Sequence, residues 1–227
     1  MTDWKIFSES KPWFITDDMT VVLGPGREPT NIANGINANF PMLAKLISNA
    51  SVTGVSIDGV EHELLAWDSI EDFRFGWLCP SPGSDISENI CDPHRDLLQY
   101  VGGVIERFNE PATQLLNHDA VLTNHEASFD ASFINNYSWA FDDNVPIDTA
   151  AYYTIAREAN GNTTICNRAD CSILLFAPDH AFDDVSPMDG CPEFTLYNID
   201  GASTFTDWVE LIAEQWLRHT ASNQGLG

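Results

Sequence analysis

The sequence predicts an α+β fold: an antiparallel sheet of about four to six strands packed against helices, with an N-terminal extension. Three observations predict it. Asp58-Gly59 and Asn160-Gly161 each separate two runs of β-type residues, the pattern of a tight hairpin whose turn needs positive φ. Thr204–Arg218 carries a capping signal followed by a single apolar face. The chain has 227 residues, 44% hydrophobic and 11% aromatic, which is enough to bury a large core.

The elements follow in order. Thr20–Leu23 reads as a short strand stopped by Gly24-Pro25-Gly26. These glycines do not make a phosphate loop, because Arg27-Glu28-Pro29 stands where Gly-Lys-Ser/Thr is required. Asn39 is placed to cap a helix over Phe40–Ser48, with Pro41 in its first turn and Leu43, Leu46 and Ile47 apolar. Val52–Ile57 and Glu61–Trp67 alternate around the first turn. Residues 76–92 read as a long loop and the best candidate for a boundary. Residues 1–90 are then an N-terminal α/β extension, either separate or part of the same domain, and residues 91–220 form the main α+β domain.

A helix is expected from Asp92 as N-cap and Pro93 at the first position, with Leu97, Leu98 and Val101 on one face and Gly102-Gly103 ending it. Val104–Phe108 reads as a strand ended by Pro111, and residues 113–141 show no clean period. Tyr152–Arg157, Thr163–Asn167, Ser172–Ala177 and Glu193–Asn198 then predict a meander of about four antiparallel strands. The third is apolar throughout, so it is expected at the centre, and Pro178 ends it. In the last helix Thr204 and Asp207 form a capping box. Phe205, Trp208, Val209, Ile212 and Trp216 share one face, which is expected to lie on the sheet.

Charge is the largest deviation from average composition. There are 34 acids against 10 bases, net -24. Residues 1–92 carry 14 acids and five bases; residues 93–227 carry 20 and five, net -15, and no lysine follows Lys45. Such a surface disfavours nucleic acid and anionic membranes and attracts basic partners. Solubility or adaptation to a salty host explains the charge equally well. No apolar run approaches the ~20 residues of a membrane span. MTDWKIFSES lacks the apolar stretch of a secretory signal, so a cytoplasmic location is expected.

The five cysteines (Cys79, Cys91, Cys166, Cys171 and Cys191) include no C-x-x-C pair, so no zinc site is expected and reduced, buried thiols are. A Cys166–Cys171 disulfide across a turn is compatible with the spacing without being required by it. No G-x-S-x-G accompanies His180. His118 and His125, seven apart with Asp119 and Glu126 beside them, would share a helix face and could join a metal site; scattered surface residues account for them as well. The adjacent carboxylates Asp142-Asp143 and Asp183-Asp184 lack a calcium-loop pattern and read as solvated loop acids. No catalytic residue, metal or cofactor is predicted. Asp179, Asp183, Asp184 and Asp189 crowd the connection between the third and fourth strands, where only His180 offers positive charge. With Asp142 and Asp143 they form the candidate surface for a basic partner.

Ile155–Asn167 (IAREANGNTTICN), the strand ending in Asp179-His180, and the helix start Thr204–Val209 together resemble the SUKH superfamily over about residues 93–217. Glu158-Ala159 departs from the Asp common in that hairpin. The resemblance implies an α+β fold without obvious catalytic machinery. Many bacterial members resemble immunity proteins that bind toxins. The expected function is therefore a non-enzymatic acidic protein that neutralises a cognate basic bacterial toxin by direct binding. The alternatives are a regulatory interaction domain without a toxin partner, or an unrecognised hydrolase.

Overall fold

A computed structural model of the protein describes residues 2–221 apart from 11, 13, 14, 17, 84, 85, 110–119, 143, 159 and 180–183. The fold is α+β, and the expected single sheet is two antiparallel sheets. The first half holds α1 (Asp3–Glu9), β1 (Val21–Pro25), α2 (Pro29–Ile36), α3 (Pro41–Ser48), β2 (Ser51–Ile57), β3 (Val60–Asp68), β4 (Arg74–Pro80), α4 (Asp92–Leu98) and β5 (Glu106–Phe108). Strands β1 to β5 pair in chain order. The second half holds β6 (Ala120–Val121), 3-10 segments at Glu126–Ser128, Ala131–Phe141 and Thr149–Ala151, then β7 (Tyr152–Arg157), β8 (Thr163–Asn167), β9 (Ile173–Phe176), β10 (Val185–Pro187), β11 (Leu196–Ile199) and α5 (Phe205–His219). Its sheet order is β10-β11-β9-β8-β7-β6, so β10 lies outside β11 and the expected plain meander is broken there.

Period-two alternation explains how each sheet is buried on two faces. On β3, Leu64 and Ala66 join Phe7 of α1, while Leu65 and Trp67 face the helices α2, α3 and α5. On the second sheet Tyr153, Ile155, Cys166 and Leu175 enter that same central core; Ile165, Leu174, Phe176 and Leu196 face the 3-10 segment Ala131–Phe141. The central core runs continuously from Ile32 to Leu217, so residues before and after position 90 share it.

Helix α5 joins the two sheets. Its capping box forms as expected, with Thr204 Oγ1 accepting from Asp207 N–H and the Asp207 carboxylate accepting from Thr204 N–H. Its first residue donates its N–H to Cys171 O beside β9 at 2.8 Å. Its far end carries Trp216 among Trp67, Phe75 and Trp77 of the first sheet. The Asp58-Gly59 and Gly161 turns take positive φ, as expected of them.

Several local expectations are corrected. The loop placed at 76–92 begins with β4, a central strand buried on both faces, which hides its alternation. Its Gly76 is required: a Cβ there would lie 2.1 Å from Leu65 O and 2.5 Å from the Phe108 ring. Gly24-Pro25 does not stop β1 but belongs to it, tolerated because β1 is an edge strand. The caps assigned to Asn39 and Asp92 shift by one residue, to Phe40 and Cys91, and neither side chain makes a capping bond. Helix α4 ends at Leu98, before Gly102-Gly103, although Gly103 does take φ +87. Glu193–Thr195 precede β11, since Phe194 sits at φ +63. The described part of the unperiodic stretch before residue 141 holds the two-residue β6 and then two 3-10 segments, the second kinked at Tyr137, which gives no 3.6-residue pattern.

Candidate functional site

The expected acidic surface is divided by the register of the second sheet. Strand β9 pairs Phe176 with Leu196 of β11, and β10 pairs Val185 with Ile199 and Pro187 with Tyr197. Asp179 therefore leaves the sheet at its Phe176 end, and exposed Asp189, just beyond Pro187, returns to that end in a turn with Gly190 at φ +79. Asp184 does not join them. It precedes Val185 at the opposite end, half-buried, its carbonyl accepting the Asp200 N–H at 2.9 Å. Exposed Asp142 ends the 3-10 segment in left-handed conformation, its N–H donating to Ser138 O. Phe141 and Val145 around it, and Met188 and Cys191 around Asp189, cover one hydrophobic cluster on the sheet's outer face. Asp143, His180 and Asp183 lie outside the described residues. So do His118 and Asp119; His125 is exposed and meets the Phe129 ring edge-on at 5.1 Å.

A cleft of about 430 Å³ opens at the Phe176 end, lined by Phe129, Asp130, Phe133, Tyr137, Arg157 and Thr163. Phe133 and Tyr137 pack edge-on against Phe176. The Arg157 guanidinium lies 5.3 Å over Phe129 and 3.1 Å from the Glu126 carboxylate. The Ser132 backbone N–H and hydroxyl hold the exposed Asp130 carboxyl below the usual carboxylate range. Sequence reading missed this cleft, because its residues come from a 3-10 segment and a hairpin whose juxtaposition no spacing reveals.

Positive charge is largely committed elsewhere. Arg27 pairs with Glu63 at 2.6 Å, Arg74 with Asp3 at 2.8 Å, Arg95 with Asp92 at 2.6 Å and Arg218 with Glu214 at 3.0 Å. Arg168 donates to the carbonyls of Asn89, Ala150 and Tyr152.

A second constellation lies inside the central core, where β8 meets the start of α4. Cys91 Sγ is 3.2 Å from Tyr153 Oη and 3.8 Å from Cys166 Sγ. Tyr153 Oη is also 3.2 Å from His94 Nδ1, and His94 Nε2 is 3.1 Å from Leu122 O. Since that carbonyl only accepts, Nε2 carries the imidazole proton. Complete burial pushes His94 down to about 4, so the ring is neutral at pH 7. Tyr153 therefore donates its one hydroxyl proton to His94 Nδ1, and the Cys166 thiol, the His94 backbone N–H and Cys171 are left to favour charge on Cys91 against its burial, holding it below the ordinary thiol range. Cys166, on the donating side, is pushed up. Among the described residues no group of three His, Cys, Asp or Glu side chains could hold a metal ion. The alternation of β8 marks Cys166 as inward-facing, but nothing in the sequence couples it to Cys91.

Among the described residues no helix is long and apolar enough to cross a membrane. Comparison of the chain with family models, with curated proteins and with solved structures found no match.

Proposed function

We propose that the protein is a cytoplasmic, non-enzymatic binding protein that docks a basic protein partner at the Phe176 end of its second sheet. One observation carries this reading: exposed Asp179 and Asp189 both come to that end of the sheet, where the cleft walled by Phe129, Phe133 and Tyr137 opens. Carboxylates there steer a cationic surface inward, and aromatic walls accept the stems or guanidinium groups of its Lys and Arg side chains. Arg157, the cation in the cleft wall, is already paired with the buried Glu126 carboxylate. The resemblance of residues 93–217 to the SUKH superfamily narrows the partner to a toxin effector made by the same cell, which the protein neutralises by direct binding.

The test is binding kinetics against the product of the adjacent gene at low and high salt, with co-expression rescue beside it. The expected association rate falls steeply with salt, and Asp179→Asn with Asp189→Asn lowers it roughly tenfold at low salt. Asp184→Asn, at the other end of the sheet, leaves it unchanged. The reading fails if no neighbour binds, or if binding ignores both salt and the paired substitution.

A further inference from the structure

We propose that Cys91 and Cys166 form a peroxide-reactive thiol pair, with Cys91 the attacking sulfur and Cys166 the resolving one. The two sulfurs already lie 3.8 Å apart inside the core. A disulfide needs about 2 Å, so the two sulfurs must close the remaining gap as the bond forms. Cys91 caps α4 and Cys166 sits in β8, so each is held by a regular element.

Access and activation come from different neighbours. A cleft of about 380 Å³ is lined by Ile90, Asp92 and Pro93, on either side of Cys91, and by Cys171, Arg95 and Arg168. Cys91 itself is buried behind these residues; hydrogen peroxide is small enough to enter the cleft and reaches the sulfur when the segment from Ile90 to Pro93 opens locally. The contacts that favour charge on Cys91 make it the better nucleophile, since thiolates and not thiols attack. Burial pushes Cys171 the other way, to about 11, and raises Cys191 as well.

The chemistry closes without any further reagent. The Cys91 thiolate attacks one peroxide oxygen; the O–O bond breaks, giving Cys91 sulfenic acid and hydroxide, which a proton converts to water. The Cys166 sulfur then displaces the sulfenic oxygen, which leaves as a second water once protonated, and the S–S bond forms. Two thiols are oxidised and one peroxide is reduced to two waters.

The experiment is peptide mapping of the intact protein after stoichiometric hydrogen peroxide and alkylation of the remaining thiols. The expected product is a cross-linked pair of peptides containing Cys91 and Cys166, lighter by two hydrogens, with Cys79, Cys171 and Cys191 still alkylated. Exposure alone would instead direct oxidation to the more accessible Cys171 or Cys191. In Cys166→Ser the sulfenic acid at Cys91 persists and is captured by dimedone; Cys171→Ser leaves the wild-type bridge unchanged. First oxidation at Cys191 or Cys171, a bridge joining Cys91 to Cys171, or no bridge at all in the wild-type protein overturns the proposal. The wild-type map decides it even if a variant fails to fold, and it does so independently of any partner binding.

Discussion

Replacing Trp216 by Ala removes the ring that holds α5 to the first sheet. Trp216 is fully buried, with ring centroids 4.8 Å from Trp77, 5.3 Å from Phe75 and 6.0 Å from Trp67. A buried Trp withdraws about 150–250 Å² from water, worth about 4–6 kcal/mol at about 25 cal/mol per Å². The extended-chain reference overstates that area, and measured Trp→Ala losses in cores run at about 3–5 kcal/mol. Against a typical total of about 5–15 kcal/mol, this is a large share of the stability. Since the other end of α5 is tied to Cys171 and the second sheet, the loss reaches both sheets together. Urea unfolding followed by far-ultraviolet circular dichroism gives the size of the loss, and hydrogen exchange on β3 and β8 peptides gives its distribution. The expected result is one cooperative transition at a lower midpoint, with protection reduced alike in β3 and β8. A loss below about 1 kcal/mol, or reduced protection in β3 with β8 untouched, would refute the role given to α5.

Two further outcomes follow from the buried polar and close-packed positions. His94 titrates near 4 when folded, against 6.5 for an ordinary imidazole, so between those values the unfolded chain binds more protons. Its contribution is complete above pH 6.5 and declines as pH falls toward 4, by up to about 3 kcal/mol; His94→Gln should flatten the stability–pH slope in that window, and an unchanged slope counts against a neutral buried ring. Gly76→Ala forces a methyl against Leu65 O, a backbone atom that cannot turn away. It should lower the unfolding free energy by about 1–3 kcal/mol, and an unshifted denaturation midpoint would mean that β3 and β4 are farther apart than described.

What the sequence determined by itself was local. Asp58-Gly59 and Gly161 announce their turns because positive φ is a property of one or two residues. The capping box and apolar stripe of α5 lie within one element, so composition and spacing reveal them. Tyr152–Arg157 and Thr163–Asn167 were legible to the residue, bracketed by turn signals on one side and a connecting turn on the other. The acidic composition was equally plain, though not its arrangement.

Only the tertiary structure decided the rest, and in each case the partners are far apart in the chain. Helix α3 has no local side-chain cap; the Glu210 carboxylate of α5 accepts the N–H groups of Met42 and Leu43 instead. Strand β4 is wet on neither face and so has no alternation to read; its place depends on a glycine meeting Leu65 and Phe108. Asp179 and Asp184, five positions apart, stand at opposite ends of the sheet because β10 pairs with β11 in one register. Cys91 and Cys166, 75 positions apart, meet because the start of α4 abuts the inner face of β8. Short-range pattern reports what a residue's neighbours require of the backbone, whereas the meeting of distant side chains depends on which faces the whole chain buries.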